Sequence, residues 1–280
     1  AAQAALLASI PVAHLHGGEV TTGAIDDAMR HAITKLSSLH FVAAEPYRRR
    51  VLQLGEAPGA VHLVGGLGVD AVARLTLPSR EALESSLGIA LRPRTLCVAF
   101  HPETATGASP AAQVDELLAA LAAETDATLV LTAPNADAGG AAIAARLAAF
   151  ADTHPTAHYV PSLGQTRWLA CLREAEAVVG NSSSGLLEAP SLGCATVNVG
   201  ERQAGRLRAT SVIDVPCERA AITAALAQVR TPAFRATVAG TRNPYGDGGA
   251  AARIVDVLAT APLAGLGPKR FVDHVPAEAA

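Results

Sequence analysis

Two short stretches concentrate the side chains that could do chemistry. The first runs Pro11-Val12-Ala13-His14-Leu15-His16-Gly17-Gly18-Glu19 and is followed by Asp26-Asp27. Two histidines and a carboxylate close behind an apolar run suit proton transfer, with Glu19 as an acid or base and His14 and His16 binding or protonating a substrate. If the strand continues, His14 and His16 share one face. Gly17 and Gly18 let the backbone turn sharply and a ligand come close. Asp26 and Asp27 open a helical pattern, where paired carboxylates usually serve as dipole-favoured caps, and Asp26–Arg30 and Asp27–His31 are spaced as (i, i+4) pairs. Carboxylates gathered in one cleft raise one another's pKa and can divide acid and base work, which gives Glu19, Asp26 and Asp27 a second reading.

The second stretch, Gly180-Asn181-Ser182-Ser183-Ser184-Gly185 followed by Glu188, is a small polar turn between an apolar strand and a helix. Backbone N–H groups and serine hydroxyls at a helix start form an anion site. Glu188, one turn in, could take two ribose hydroxyls. Arg202 and Arg206 follow the next strand and could neutralise a pyrophosphate. His101, just after a strand and before a loop rich in Thr, Gly and Ser, suits a phosphate contact. Asn135 holds the analogous place one strand–helix unit later.

These residues need elements to hold them. Short apolar runs at 11–15, 40–44, 61–64, 94–100, 127–132, 157–160, 177–180, 195–199 and 212–215 read as strands. Helical patterns lie at 1–9, 25–39, 45–54, 111–124, 140–151, 165–175, 185–192, 218–230 and 250–259, and Gly65-Gly66-Leu67-Gly68 reads as a break. Strands alternating with helices predict an α/β chain with parallel sheets, and the polar clusters follow strands, where such sheets bind ligands. A length of 280 residues suits two domains, and the turns at Pro78-Ser79 and Pro93 place the division near 71–84.

Half the residues are hydrophobic and 17% are charged, a globular composition. A net charge of −3 argues against a broad nucleic-acid surface. No apolar run is long enough to span a bilayer, so no membrane role is expected. Cys97, Cys171, Cys194 and Cys217 are widely spaced without a CxxC pair. They read as reduced core residues of a cytoplasmic protein rather than disulfides or metal ligands, and no metal or cofactor is expected.

Longer runs containing these clusters (16–41, 98–102, 134–139, 180–206 and 243–248, with the tail at 269–273) resemble, in order, the hydrolysing UDP-N-acetylglucosamine 2-epimerases of bacterial sialic acid biosynthesis. The resemblance implies a glycosyltransferase-B type fold, two Rossmann-like domains around a cleft. Residues 1–76 would be the latter part of a truncated N-terminal domain on the sugar side. Residues 77–262 would be the UDP-binding domain, and 263–280 a segment crossing back. Ser182, Ser183, Ser184, Glu188, Arg202, Asn135 and His101 would meet UDP. His14, His16, Glu19, Asp26 and Asp27 would face the sugar, although the non-hydrolysing relatives carry Glu where this chain has His16.

The implied reaction eliminates UDP from UDP-N-acetylglucosamine and hydrates the glycal to N-acetylmannosamine, in a homo-oligomer, dimer or tetramer, when full length. Alternatives are the same reaction on a UDP-2,4-diacetamido-trideoxyhexose, a non-hydrolysing 2-epimerase, or a retaining glycosyltransferase of the same fold. The family pattern has further strands before this stretch, which leads to the expectation of an inactive UDP-binding fragment.

Overall fold

The computed structural model describes residues 1–273 except 106, 108, 263, 264, 267 and 268. Parts of the expected crossing segment 263–280 therefore lie outside the described residues. In chain order the first elements are α1 (Ala2–Leu7), β1 (Ala13–Leu15), α2 (Asp26–Leu36), β2 (Leu39–Val42), α3 (Glu45–Gln53), β3 (Val61–Leu63), α4 (Leu67–Arg74) and α5 (Arg80–Leu87). Next come β4 (Thr95–Ala99), α6 (Pro110–Leu121), β5 (Thr128–Leu131), α7 (Gly140–Thr153), β6 (Ala157–Tyr159), α8 (Gly164–Glu174), β7 (Ala177–Gly180) and α9 (Ser184–Leu187). The chain continues through β8 (Ala195–Val199), β9 (Val212–Val215), α10 (Arg219–Val229), α11 (Pro232–Ala239) and α12 (Ala250–Thr260).

The elements form two compact units. One comprises Ala1–Val20, Ile25–Ala73 and Tyr245–Ala280; the other comprises Thr21–Ala24 and Arg74–Pro244. In the first unit β1, β2 and β3 form a parallel sheet in sequential order. Its apolar contacts join Leu39, Phe41, Val64 and Ile254, so α12 packs on this sheet. Gly66 N–H donates to the Tyr245 carbonyl, the Tyr47 and Tyr245 hydroxyls meet at 3.0 Å, and Arg253 Nε donates to the Val64 carbonyl. Residues 245–262 thus group with the first unit rather than with the 77–262 domain read from sequence.

A buried carboxylate ties the ends of this unit together. Glu56 accepts from Lys35 Nζ at 2.7 Å and Lys269 Nζ at 2.6 Å, and pairs with His40 Nε2 at 2.9 Å. Lys269 also donates to the carbonyls of Thr34 and Ser37 at the end of α2, where the helix dipole favours a cation.

In the second unit six parallel strands stand in the order β6-β5-β4-β7-β8-β9. The chain leaves β4 through β5 and β6, then returns to pair β7 beside β4. That reversal is the switch point at which doubly wound sheets open a crevice beyond the strands' carboxyl ends. All residues of β4, β5, β7 and β8 are buried, as strands covered by helices on both faces require. Their shared core includes Leu96, Val98, Leu129, Leu131, Val179 and Val197, packed with Leu117, Ile143 and Leu226 of the helices.

Several expected boundaries shift for local reasons. The helix read over 25–39 ends at Leu36, because Ser37 turns extended, its hydroxyl donates to the Ile33 carbonyl, and Leu39 joins β2. The glycines at 65–68 do not simply break structure: Gly65, at φ +91, turns the chain directly into α4. The helix read over 185–192 divides into α9 and a 3-10 turn at Ala189–Leu192, with Pro190 in its first positions. The short helix α11 was not read from the sequence.

Candidate functional site

The polar residues at the carboxyl end of β4 and β7 are held mainly by main-chain bonds. Gly180 ends β7 at φ +133, and a Cβ there would strike the Ala99 carbonyl, so only glycine lets these strand ends converge so closely. The next residue, Asn181, is fully buried. Its Oδ1 accepts from the His101 backbone N–H at 2.7 Å, and its Nδ2 donates to the His101 carbonyl at 2.9 Å. Asn181 therefore satisfies both backbone groups of His101, as a buried amide must. Its own carbonyl accepts from Gln203 Nε2 at 2.8 Å and Arg202 Nη1 at 3.3 Å.

His101 Nδ1 accepts from the Asn135 backbone N–H at 3.0 Å. That bond puts the ring proton on Nε2, as a donor. Burial, aided by the Arg202 charge and opposed by Asp137, pushes the His101 pKa down to about 4, so the ring is neutral at pH 7. The loop carrying Arg202 is fixed by Glu103, which accepts from the N–H groups of Glu201 at 2.7 Å and Arg202 at 3.2 Å and from Gln113 Nε2 at 3.0 Å. The segment Thr21–Ala24 joins the same loop through Thr22 N–H to the Ala204 carbonyl at 3.1 Å.

The serine turn is more committed internally than its composition suggests. Ser184 Oγ accepts from Trp168 Nε1 at 2.7 Å, and Ser184 N–H meets Ser182 Oγ at 3.4 Å. Glu188, half-buried, follows α9 directly. The Nε2–H of His101, the Arg202 guanidinium and the hydroxyls of Ser182 and Ser183 are each donors of the kind that suits phosphate oxygens. Sequence reasoning missed Asn181, Glu103, Gln203 and Trp168 as holders of these donors. The 101–181 and 103–201 contacts join residues 80 and 98 positions apart, which no local pattern records.

The first unit holds the other cluster. His14 lies in β1, but the strand ends at Leu15 and His16 adopts φ +60. The two rings do not continue one strand face, contrary to the alternation expected from sequence: the left-handed turn redirects His16. His16 Nδ1 meets Glu19 Oε1 at 2.7 Å, and its Nε2 accepts from the Leu67 backbone N–H at 3.2 Å, at the start of α4. The Leu67 bond fixes the proton on Nδ1, so His16 donates to the Glu19 carboxylate. The Glu19 side chain is 2% exposed and the His16 ring 27%.

His14 is buried, and its Nδ1 lies 3.2 Å from Thr34 Oγ1. Asp26 and Asp27 sit in the first turn of α2 and pair with Arg30, at 2.6 Å and 3.5 Å. Asp27 also stands 3.6 Å from His31. Arg30 reaches back to the Glu19 carbonyl at 3.3 Å, which links the acidic turn to the Glu19 loop. Among the described residues, no group of three or more His, Cys, Asp or Glu could hold a metal ion, and no helix is long and apolar enough to cross a membrane. All four cysteines are free, with Cys217 partly exposed and the others buried.

The family model for UDP-N-acetylglucosamine 2-epimerase matches residues 1–259. The chain belongs to this family. It is 40% identical to the polysialic acid biosynthesis protein P7 of Escherichia coli over 86% of this chain and 62% of the relative. It is 34% identical to the UDP-N,N'-diacetylbacillosamine 2-epimerase (hydrolyzing) of Legionella pneumophila over 94% of this chain and 68% of the relative. The fold is similar to that of the Neisseria meningitidis UDP-GlcNAc 2-epimerase bound to UDP-GlcNAc. The TM-score is 0.78 at 18% identity, over 93% of this chain and 72% of that one. These neighbours are glycosyltransferase-B-like, as the resemblance implied, and both sheets of this epimerase-family chain are parallel. The chain spans 62% of the length of the E. coli relative and 56% of a Campylobacter jejuni relative.

Proposed function

We propose that the protein containing this chain eliminates UDP from UDP-N-acetylglucosamine and hydrates the resulting glycal, releasing UDP and N-acetylmannosamine as a sialic acid precursor. The observation that carries this reading is the buried Glu19 carboxylate, held by His16 at the end of β1. A sealed carboxylate with a fixed partner suits removal of the weakly acidic C2 proton while the C1–O bond to UDP breaks. Water then adds, its hydroxyl at C1 and a proton at C2 with the opposite stereochemical outcome. Glu19, Asp26 and Asp27 divide the acid and base steps. His101, Arg202 and the serines at 182–184 stabilise the leaving diphosphate, with Asn135 and Glu188 completing the nucleotide contacts.

A second substrate, a UDP-2,4-diacetamido-trideoxyhexose, is favoured by the names of two relatives: the Legionella UDP-N,N'-diacetylbacillosamine 2-epimerase (hydrolyzing) and the Campylobacter GDP/UDP-N,N'-diacetylbacillosamine 2-epimerase (hydrolyzing). Incubation of the whole protein with each sugar in D2O, followed by NMR, separates the two. The expected product is free UDP with a 2-epimerised sugar carrying deuterium at C2. Retained gluco stereochemistry, or transfer to an acceptor, sinks the proposal. Glu19→Gln is expected to abolish turnover and leave UDP affinity within about threefold, since it removes a charge without removing volume. Full turnover in that variant removes Glu19 from the chemistry.

A further inference from the structure

The three histidines of the two clusters are wired differently, and one of them keeps an unused atom. His101 has Nδ1 occupied as an acceptor, so it offers a donor. His16 has both nitrogens occupied, by Glu19 and by the Leu67 N–H. His14 has only the Thr34 contact.

The Thr34 hydroxyl has a single proton, and it is donated to the Arg30 carbonyl at 3.2 Å. At the His14 contact Thr34 Oγ1 must then accept, so Nδ1 carries the ring proton. The lone pair on Nε2 has no partner among the described residues. Unlike His31 Nδ1 and His40 Nδ1, this nitrogen is not a sealed-off orphan. Gly17 packs against the ring: a Cβ there would lie 3.0 Å from Nδ1 and 3.2 Å from Cε1, so a side chain at 17 would press on the His14–Thr34 contact.

We infer that His14 is a neutral, tautomer-locked hydrogen-bond acceptor, whose Nε2 takes a hydroxyl proton of the bound sugar ring or of the hydrating water and orients it. The inference rests on the sugar-acting reading above and narrows it: His14 cannot be a general acid from Nε2, because no proton resides there. The surroundings keep it so. Burial first, then the positive or titratable groups facing it (His40 on β2, Arg30 and His31 on α2, and His16 after β1) push its pKa down to about 4. The ring therefore stays neutral across the range in which an exposed histidine titrates.

Long-range proton–nitrogen correlation of the histidine rings tests the lock without any turnover. The expected spectrum of the whole protein shows Nδ1 protonated and Nε2 bare at His14, unchanged from pH 8 to pH 5. An Nε2–H tautomer, or titration near 6.5, overturns the inference. Adding UDP-GlcNAc or the 2,4-diacetamido sugar is expected to shift Nε2, and adding UDP alone is not; equal responses to all three also overturn it.

In turnover, His14→Gln keeps an acceptor near the Nε2 position and is expected to hold kcat/KM within about tenfold. His14→Asn keeps the donor to Thr34 but loses that acceptor and is expected to fall by about 100-fold. The reverse ranking refutes the role of Nε2. A wild-type protein that binds the sugar without turning it over defeats the reaction proposal alone, and the Nε2 response then decides this one.

Discussion

The His101 cluster and the Glu19 cluster are built on opposite plans. Around His101 nearly every bond runs to main chain or from a fully buried amide: Asn181 to the His101 backbone, Asn135 N–H to its ring, Glu103 to two consecutive loop amides. Such a set is rigid before any ligand arrives, as preorganised electrostatic sites require. Around Glu19 the bonds run between side chains of very unequal burial. The Glu19 side chain is 2% exposed and that of Asp26 is 56% exposed, although both were read as one acidic group. The contrast separates a cluster scaffolded by main chain from one tied side chain to side chain.

The sharpest way to break this contrast is to remove the scaffold. Asn181→Ala leaves the His101 N–H and carbonyl buried without partners. Unsatisfied buried groups cost roughly 1–3 kcal/mol each, so a loss of about 2 kcal/mol or more is expected in urea unfolding of the second unit. UDP affinity should fall with it, because the His101 backbone leans on the Asn181 side chain. A variant that keeps its unfolding midpoint would show that the clamp is dispensable.

Acidification should act unevenly on the two units. His14 and His40 in the first unit and His101 in the second are each pushed down to about 4, by burial above all. The unfolded chain takes up these protons near 6.5 while the folded rings stay neutral, so their stabilising contribution is complete above that pH. It is lost progressively as pH falls from about 6.5 towards 4. Glu56 adds a further loss at lower pH: burial raises its pKa, but the bonds from Lys269 and Lys35 and the His40 charge together hold it below the usual carboxylate value. Hydrogen exchange corrected for its intrinsic pH dependence should show β2 losing more protection than β4 between pH 7 and pH 5. Equal losses would contradict the assignment of two such rings to the first unit.

How much of this was legible in the sequence follows the range of the interactions. The strands at 177–180 and 195–199 are read to the residue, because buried parallel strands appear as largely apolar runs between turn residues; the edge strand at 212–215, only partly buried, is also read to the residue. The helix α11 escaped although a signal was present. Thr231 caps it, accepting from Phe234 N–H at 3.2 Å, and Pro232 sits at its first position. The motif residues were legible as a set, but their wiring was not. Asn181 holds a residue 80 positions away and His16 meets an amide 51 positions away. The left-handed turn at His16 also defeats the alternation rule, since a non-glycine residue seldom takes that conformation.

The smallest expected effect sharpens the comparison most. Asp26 sits where a helix dipole favours an anion and pairs with Arg30 four residues on, so its structural worth is that of an exposed helical ion pair, about 0.3–0.5 kcal/mol. Asp26→Asn should therefore leave the unfolding midpoint almost unmoved. If Asp26 also shares the proton transfers with Glu19, turnover of a UDP-sugar should fall by about 100-fold or more against that negligible stability change. If it is only a cap, kcat/KM follows stability and hardly changes, and the acid–base work contracts to Glu19 and Asp27. The two outcomes lie so far apart because exposure makes the stability term small, so Asp26 offers the chemistry a clean test.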